Sequence, residues 1–152
     1  MPQKLLGTYK LSLVYPREWG AAPEPADVPH WAVGRPFITH EPGQTLRNLA
    51  FDFLNSAGNT AQPAIATSGS SSVMRCVEEG LGFAILPSWC IEDDDDRLTS
   101  VTLSNLPEVR VYFGHADFLR KNEGVRMLYD VCLAELVGTE LDEPSTETAY
   151  PR

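Results

Sequence analysis

The amino-acid sequence reads as an α/β domain on a mixed, mostly parallel sheet. Three observations carry that reading. Strand-like apolar runs alternate with amphipathic helical stretches between residues 36 and 87, Gly or Pro marks the junctions, and 43% of the 152 residues are hydrophobic, enough to fill a core.

The first element is a strand over residues 9–15, where Tyr9, Leu11, Leu13 and Tyr15 are strand formers and Pro16 stops the run. Residues 18–29 read as loop, because Gly20, Pro23, Pro25 and Pro29 oppose regular structure. A short buried strand is expected around Pro36, Phe37 and Ile38. The clearest helix follows, with Leu46, Leu49, Ala50, Phe53 and Leu54 on one face, Arg47, Asn48, Asp52 and Asn55 on the other, and Gly58 as its stop. Residues 63–66 form a short strand. Val73, Cys76 and Val77 then mark a second helix ending at Gly80, and residues 83–86 a buried strand closed by Pro87. Strands at 98–103 and 109–113 precede a third helix, whose stripe is Val125, Leu128, Tyr129, Cys132, Leu133 and Leu136 and whose N-cap is Asn122. Residues 138–152 are expected to be a flexible acidic tail.

Twelve Lys and Arg against 21 Asp and Glu leave a net charge of -9. That balance argues against nucleic-acid binding by this chain's own surface, since phosphate contacts need clustered cations. No apolar run approaches the ~20 residues of a membrane helix, and residues 1–4 do not resemble a secretion signal, so a cytoplasmic location is expected. Cys76, Cys90 and Cys132 lack metal-ligand spacing and read as buried, reduced thiols. The run Asp93–Asp96 reads as a solvated turn, because a calcium loop needs spaced ligands and a glycine. No metal or cofactor is expected.

Two strand-to-helix loops carry the chemistry. Thr67, Ser68, Gly69 and Ser70, with Ser71 and Ser72, lie where a strand ends and a helix begins. There, unpaired amides and the positive end of the helix dipole suit a carboxylate, phosphate or sulfate. Simple helix capping by the serines is the plainer explanation of the same residues. The second loop, Thr39 to Thr45, holds His40 and Glu41, but adjacent loop residues usually point apart and no third partner completes an acid–base set. His30 and His115 stand alone. Hydrolase, zinc-protease, nucleotide and dinucleotide motifs are missing, so no catalytic residue is assigned and an enzyme is not expected.

The passage from Val77 to Pro87, with Gly80 and Gly82 inside it, resembles the V-x-x-G-x-G-x-x-x-x-P segment of the effector-binding domain of LysR-type transcriptional regulators. Leu13 to Pro16 is similar to that family's strand crossing between subdomains. Arg35 to Ile38, with Gly43 and Arg47, is similar to its next strand and helix, and the likeness extends over residues 9–137. The resemblance implies a periplasmic-binding-protein-like type II fold, with a small effector held between two α/β subdomains. This chain would supply mainly the second, with its mixed sheet flanked by helices. Residues 1–137 would be the effector-binding part, with 15–112 as second subdomain and 113–137 as return strand and final helix. A winged helix-turn-helix, the linker helix and most of the first subdomain would precede it. DNA would be contacted only through that helix-turn-helix, outside this chain, and the regulator would be a homodimer or higher homo-oligomer.

By the same resemblance, Tyr15, Thr39, Thr67 and Ser68 face the effector. Together with Gly69 and the amides near Ser70, Thr67 and Ser68 are expected to receive an anionic group of a small metabolite. Two other readings stay open: a stand-alone solute-binding module for small anions, and an enzyme using His40 and Glu41.

Overall fold

The computed structural model describes residues 2–58 and 60–137, with side chains described as far as residue 135. In chain order it comprises β1 (Gln3–Tyr9), β2 (Leu11–Pro16), α1 (Val28–Trp31), β3 (Phe37–His40), α2 (Thr45–Leu54), β4 (Pro63–Thr67), α3 (Ser70–Glu78), β5 (Ala84–Pro87), β6 (Leu98–Thr102), β7 (Val109–Gly114) and α4 (Glu123–Val137). The expected tail at 138–152 lies outside the described residues. Two compact units emerge among the described residues, one within Lys10–Pro107 and one of residues 2–9 with 108–137.

In the larger unit β3 pairs parallel with β4, and β2 pairs antiparallel with both β5 and β6. A parallel bridge between Phe37 and Phe83 joins the two sets. Ile38 N–H donates to the Phe83 carbonyl at 2.8 Å, and Phe83 N–H donates to the Pro36 carbonyl at 2.9 Å. The resulting order is β4-β3-β5-β2-β6, with β2 alone reversed, which is the mixed, mostly parallel arrangement expected.

Helices cover both faces of this sheet. On one face Val73, Met74 and Val77 of α3, spaced to share a stripe, pack with Val14, Ile38, Ala84, Leu86 and Leu98. Strand side chains alternate, so Tyr15, Phe37 and Phe83 project from the other face, where Phe83 meets Trp31 at 5.4 Å and Phe37 meets Phe51 at 5.5 Å between ring centroids. This explains why all six residues of β2 are buried.

Segment 18–29, read as loop, contains a 3-10 turn at Pro25–Asp27 and the start of the short helix α1. Pro29 occupies the first turn of α1, where a missing N–H costs no helical bond. The second helix ends as expected: a 3-10 turn extends it over Asn55–Ala57, and Gly58 follows in the left-handed region.

The smaller unit pairs β1 antiparallel with β7, with an irregularity between Leu5 and Gly7. Strand β1 was not expected, because Gln3 and Lys4 are exposed and its apolar pattern is thin. Helix α4 is capped by Asn122, whose Oδ1 accepts from Val125 N–H at 3.2 Å. Val125, Tyr129, Cys132 and Leu133 of its stripe are half-buried, whereas Leu128 is exposed. The three cysteines are free thiols and half-buried, less enclosed than expected.

Candidate functional site

Strands β3 and β4 lie side by side and parallel, in a register that sets Thr39 opposite Ala66 and His40 opposite Thr67. Each strand runs directly into a helix, β3 into α2 and β4 into α3. Because the strands are parallel, both helices begin beyond the same end of the sheet, the end at which open α/β sheets place ligands.

Neither helix start is closed by a side chain. The N-cap of α3 is Gly69, with φ 79° and ψ 145°, and that of α2 is Gln44; neither makes a capping bond. The first bonds of the turns are Val73 N–H to the Gly69 carbonyl at 3.3 Å and Asn48 N–H to the Gln44 carbonyl at 3.2 Å. The amides before Val73 and before Asn48 therefore point out of the helices, where the dipole is positive. The capping role considered for the serines does not occur: Ser70, Ser71 and Ser72 are within the helix, and a glycine holds the position a cap would need. A positive φ there is natural for glycine and strained for other residues.

His40 ties this end of the sheet together. It is buried, its Nε2 lies 3.0 Å from Ser70 Oγ, and its carbonyl accepts a 2.8 Å bond from the Arg47 guanidinium of α2. Arg47 is itself held over the Phe51 ring, 4.7 Å from the centroid. Ser70 also hydrogen-bonds the thiol of Cys90, whose pKa burial pushes up despite that bond. The Ser70 hydroxyl is thus directed inward, leaving its backbone amide at the helix start. Glu41, by contrast, is exposed, so the adjacent His40 and Glu41 point apart.

Burial lowers the pKa of His40 below the ordinary 6.5. With the unfolded imidazole taking up a proton first, stability is complete above about pH 6.5 and falls as pH drops from there toward the lower folded value. Thermal melts between pH 7.5 and 5.5 are expected to show this decline, with a slope contribution of at most about 1.4 kcal/mol per pH unit. His40→Gln should flatten that slope whatever it does to the melting temperature at pH 7.5; an unchanged slope would contradict the assignment.

The sequence-derived residues separate by exposure. Ser68 and Gly69 are exposed and Thr67 and Ser70 half-buried, so the 67–70 turn lies at the surface. Thr39 is buried within β3. Tyr15 is fully buried, with its ring centroid 4.9 Å from that of Trp31 and 6.4 Å from that of Trp19. Its hydroxyl donates to the Gly20 carbonyl at 3.1 Å and is hydrogen-bonded to Thr99. Burial raises its pKa, opposed by Thr99 and the charge of Arg35. The structure thus gathers Thr67 to Ser70 with His40 and Arg47, while the hydroxyl of Tyr15 is engaged elsewhere. Sequence reading missed the His40–Ser70–Cys90 contact, because partners 30 and 20 residues apart leave no local spacing signal.

The Asp93–Asp96 run is a turn in which Asp95 holds Arg97 through both carboxylate oxygens, at 2.9 and 3.0 Å. Among the described residues no group of three His, Cys, Asp or Glu converges as for a metal ion, and no helix is long and apolar enough to cross a membrane.

Among curated proteins, none matches the chain. Residues 3–136 match the family model of the LysR substrate binding domain. Solved structures similar to this one include the CcmR regulatory domain of Synechocystis PCC6803 in complex with 2-PG, at 14% identity and a TM-score of 0.64 over 88% of this chain and 66% of that one. The regulatory domain of CrgA, a LysR-type transcriptional regulator from Neisseria meningitidis, is similar at 17% identity and a TM-score of 0.60, over 88% and 69%. A putative LysR family regulator from Pseudomonas aeruginosa gives 14% and 0.59, over 90% of this chain and 49% of its own. The chain therefore spans about two thirds of the isolated regulatory domains and about half of the longer regulator. At these identities the structural likeness bears on the fold alone, which is the periplasmic-binding-protein-like type II α/β fold of these regulatory domains. The family model covers nearly the whole described chain, and the mixed sheet with its helices agrees with it: the chain belongs to the LysR substrate-binding domain family.

Proposed function

We propose that this chain is the small-molecule sensing part of a LysR-type transcriptional regulator, and that the turn from Thr67 to Ser70 receives an anionic group of the effector. The observation that carries this reading is the pair of uncapped helix starts, α2 and α3, beyond the ends of two adjacent parallel strands. Backbone amides there offer donors, both dipoles favour negative charge, and Arg47 adds a cation nearby through its bond to His40. The bound 2-PG of the CcmR regulatory domain supports a small-molecule effector for this fold.

In this reading the second subdomain is about residues 15–112, a span that takes in most of the larger unit Lys10–Pro107, and residues 113–137 are the return strand and final helix. The regulator works in the cytoplasm as a homo-oligomer, contacts DNA only through a helix-turn-helix outside this chain, and catalyses nothing. Tyr15 and Thr39 shape the surroundings from within, and Thr67, Ser68, Gly69 and Ser70 meet the ligand. Effector binding acts by favouring one of two regulator arrangements, which requires different affinities for the two.

A thermal-shift screen with 2-PG, carboxylates, amino acids and aromatic acids is expected to find a stabiliser, since a ligand at 100 times its Kd adds about 2.7 kcal/mol. Ser68 is exposed, so Ser68→Trp should leave the unliganded melting temperature unchanged while weakening that stabiliser about tenfold or more in calorimetry. Unchanged affinity would refute the site. Turnover of the stabiliser would refute the non-enzymatic reading.

A further inference from the structure

A second concavity, in the smaller unit, has a different character. It encloses about 280 Å³ and is lined by Lys4 of β1, Phe113 of β7, His115, Arg120, and Val125, Arg126 and Tyr129 of α4. Three of the chain's 12 Lys and Arg thus converge on one small hollow in a molecule of net charge -9, and among the described residues no carboxylate lines it. The chain's general charge would repel an anion; this hollow reverses that locally.

The lining is ordered by its own contacts. Lys4 and Phe113 are cross-strand partners, the Phe113 and Tyr129 rings meet edge-on at 5.6 Å, and Lys4 Nζ lies 4.4 Å from the Tyr129 centroid. His115 Nδ1 lies 2.9 Å from the Ala116 carbonyl, an acceptor, which assigns the proton to Nδ1 and leaves Nε2 for another partner. Arg126 has a 3.5 Å ion pair with Glu123, but both side chains are largely exposed and such pairs are weak in water. Phe113, Val125 and Tyr129 are half-buried, and Lys4, Arg120 and Arg126 are exposed.

We propose that this hollow is a second ligand site, separate from the 67–70 turn, for a small organic anion that carries two or more negative charges on a flat apolar body. Phe113, Tyr129 and Val125 take the body, and Lys4, Arg120 and Arg126 take the charges. One charge would not engage both β1 and α4, and a bare inorganic anion would leave the aromatic wall unused. This assignment does not depend on the effector reading above.

The test is titration calorimetry of the full chain with isophthalate, benzoate and sulfate at constant ionic strength. Isophthalate is expected to bind about tenfold tighter than either of the others, the gain typical of one added charge-assisted contact. The double variant Arg120→Gln, Arg126→Gln should lose about tenfold or more for isophthalate with its far-ultraviolet circular dichroism unchanged, and Lys4→Gln, an exposed position, should weaken binding about threefold. Ser68→Trp should leave isophthalate affinity at its original value, and its loss in that variant would overturn the proposal. Equal binding of isophthalate and benzoate, or equal binding by the double variant and the unaltered chain, would overturn it as well.

Discussion

Gly82→Ala is expected to destabilise the protein by about 3 kcal/mol or more, the upper end of what overpacking costs. A Cβ at this position would stand 2.5 Å from the Pro36 carbonyl oxygen and 3.0 and 3.1 Å from two carbons of Ile38. The nearest obstacle is backbone, and that carbonyl already accepts the bond from Phe83 N–H. It cannot withdraw without opening the bridge that joins β3 to β5, and with it the junction between the two halves of the sheet. Urea unfolding should therefore show a markedly lower midpoint. A midpoint within error of the unaltered chain would show that β3 and β5 do not approach as closely as described. The companion Gly80 has no such crowding; its positive φ is what ends α3. Two glycines of one motif thus serve distinct physical needs.

Tyr15→Ala should cost about 3–5 kcal/mol, the range for truncating a buried large aromatic side chain. The ring is fully enclosed, between Trp19 and Trp31, and Arg35 lies over both indoles at 5.4 and 4.5 Å. Tyr15→Phe keeps the ring and removes only the bonds to Gly20 and Thr99, so about 1 kcal/mol is expected. Equilibrium denaturation of the two variants separates packing from hydrogen bonding. If Tyr15→Phe instead left stability untouched and abolished binding of the stabiliser found by screening, the hydroxyl would be a ligand contact and its structural role toward Gly20 and Thr99 would fail. The resemblance that placed Tyr15 toward the effector located its strand, but a strand's position does not say whether its side chains are exposed.

Helix α2 illustrates what can be read without coordinates. Leu46, Leu49, Ala50, Phe53 and Leu54 define a face by spacing alone, and Ala50, Phe53 and Leu54 are buried in the fold. Helix α3, the strand before Pro87 and the Asn122 cap were legible for the same reason: the signal lies within a few residues. Strand β1 was not, since its sequence is weakly patterned and its partner β7 lies about a hundred residues away. Helix α1 was hidden behind prolines that oppose helix interiors yet suit helix starts.

For the candidate site the division is similar. Residues 67–72 announced a polar strand-to-helix turn, because Thr, Gly and Ser in succession suit little else. Whether those serines cap the helix or leave it open depends on one residue of register, which propensity does not resolve.

By itself the sequence determined the α/β class, the order of its central elements, the glycine passage that marks the family and the location of the polar turns, all properties written in neighbouring residues. Tertiary structure decided that His40 meets Ser70, that Tyr15 is enclosed by two tryptophans, and that Lys4 shares a hollow with Arg120 and Arg126. The reason is physical. Spacing along a chain dictates periodicity and local turns, whereas burial, cavity shape and the convergence of charge arise only when segments distant in sequence pack against each other.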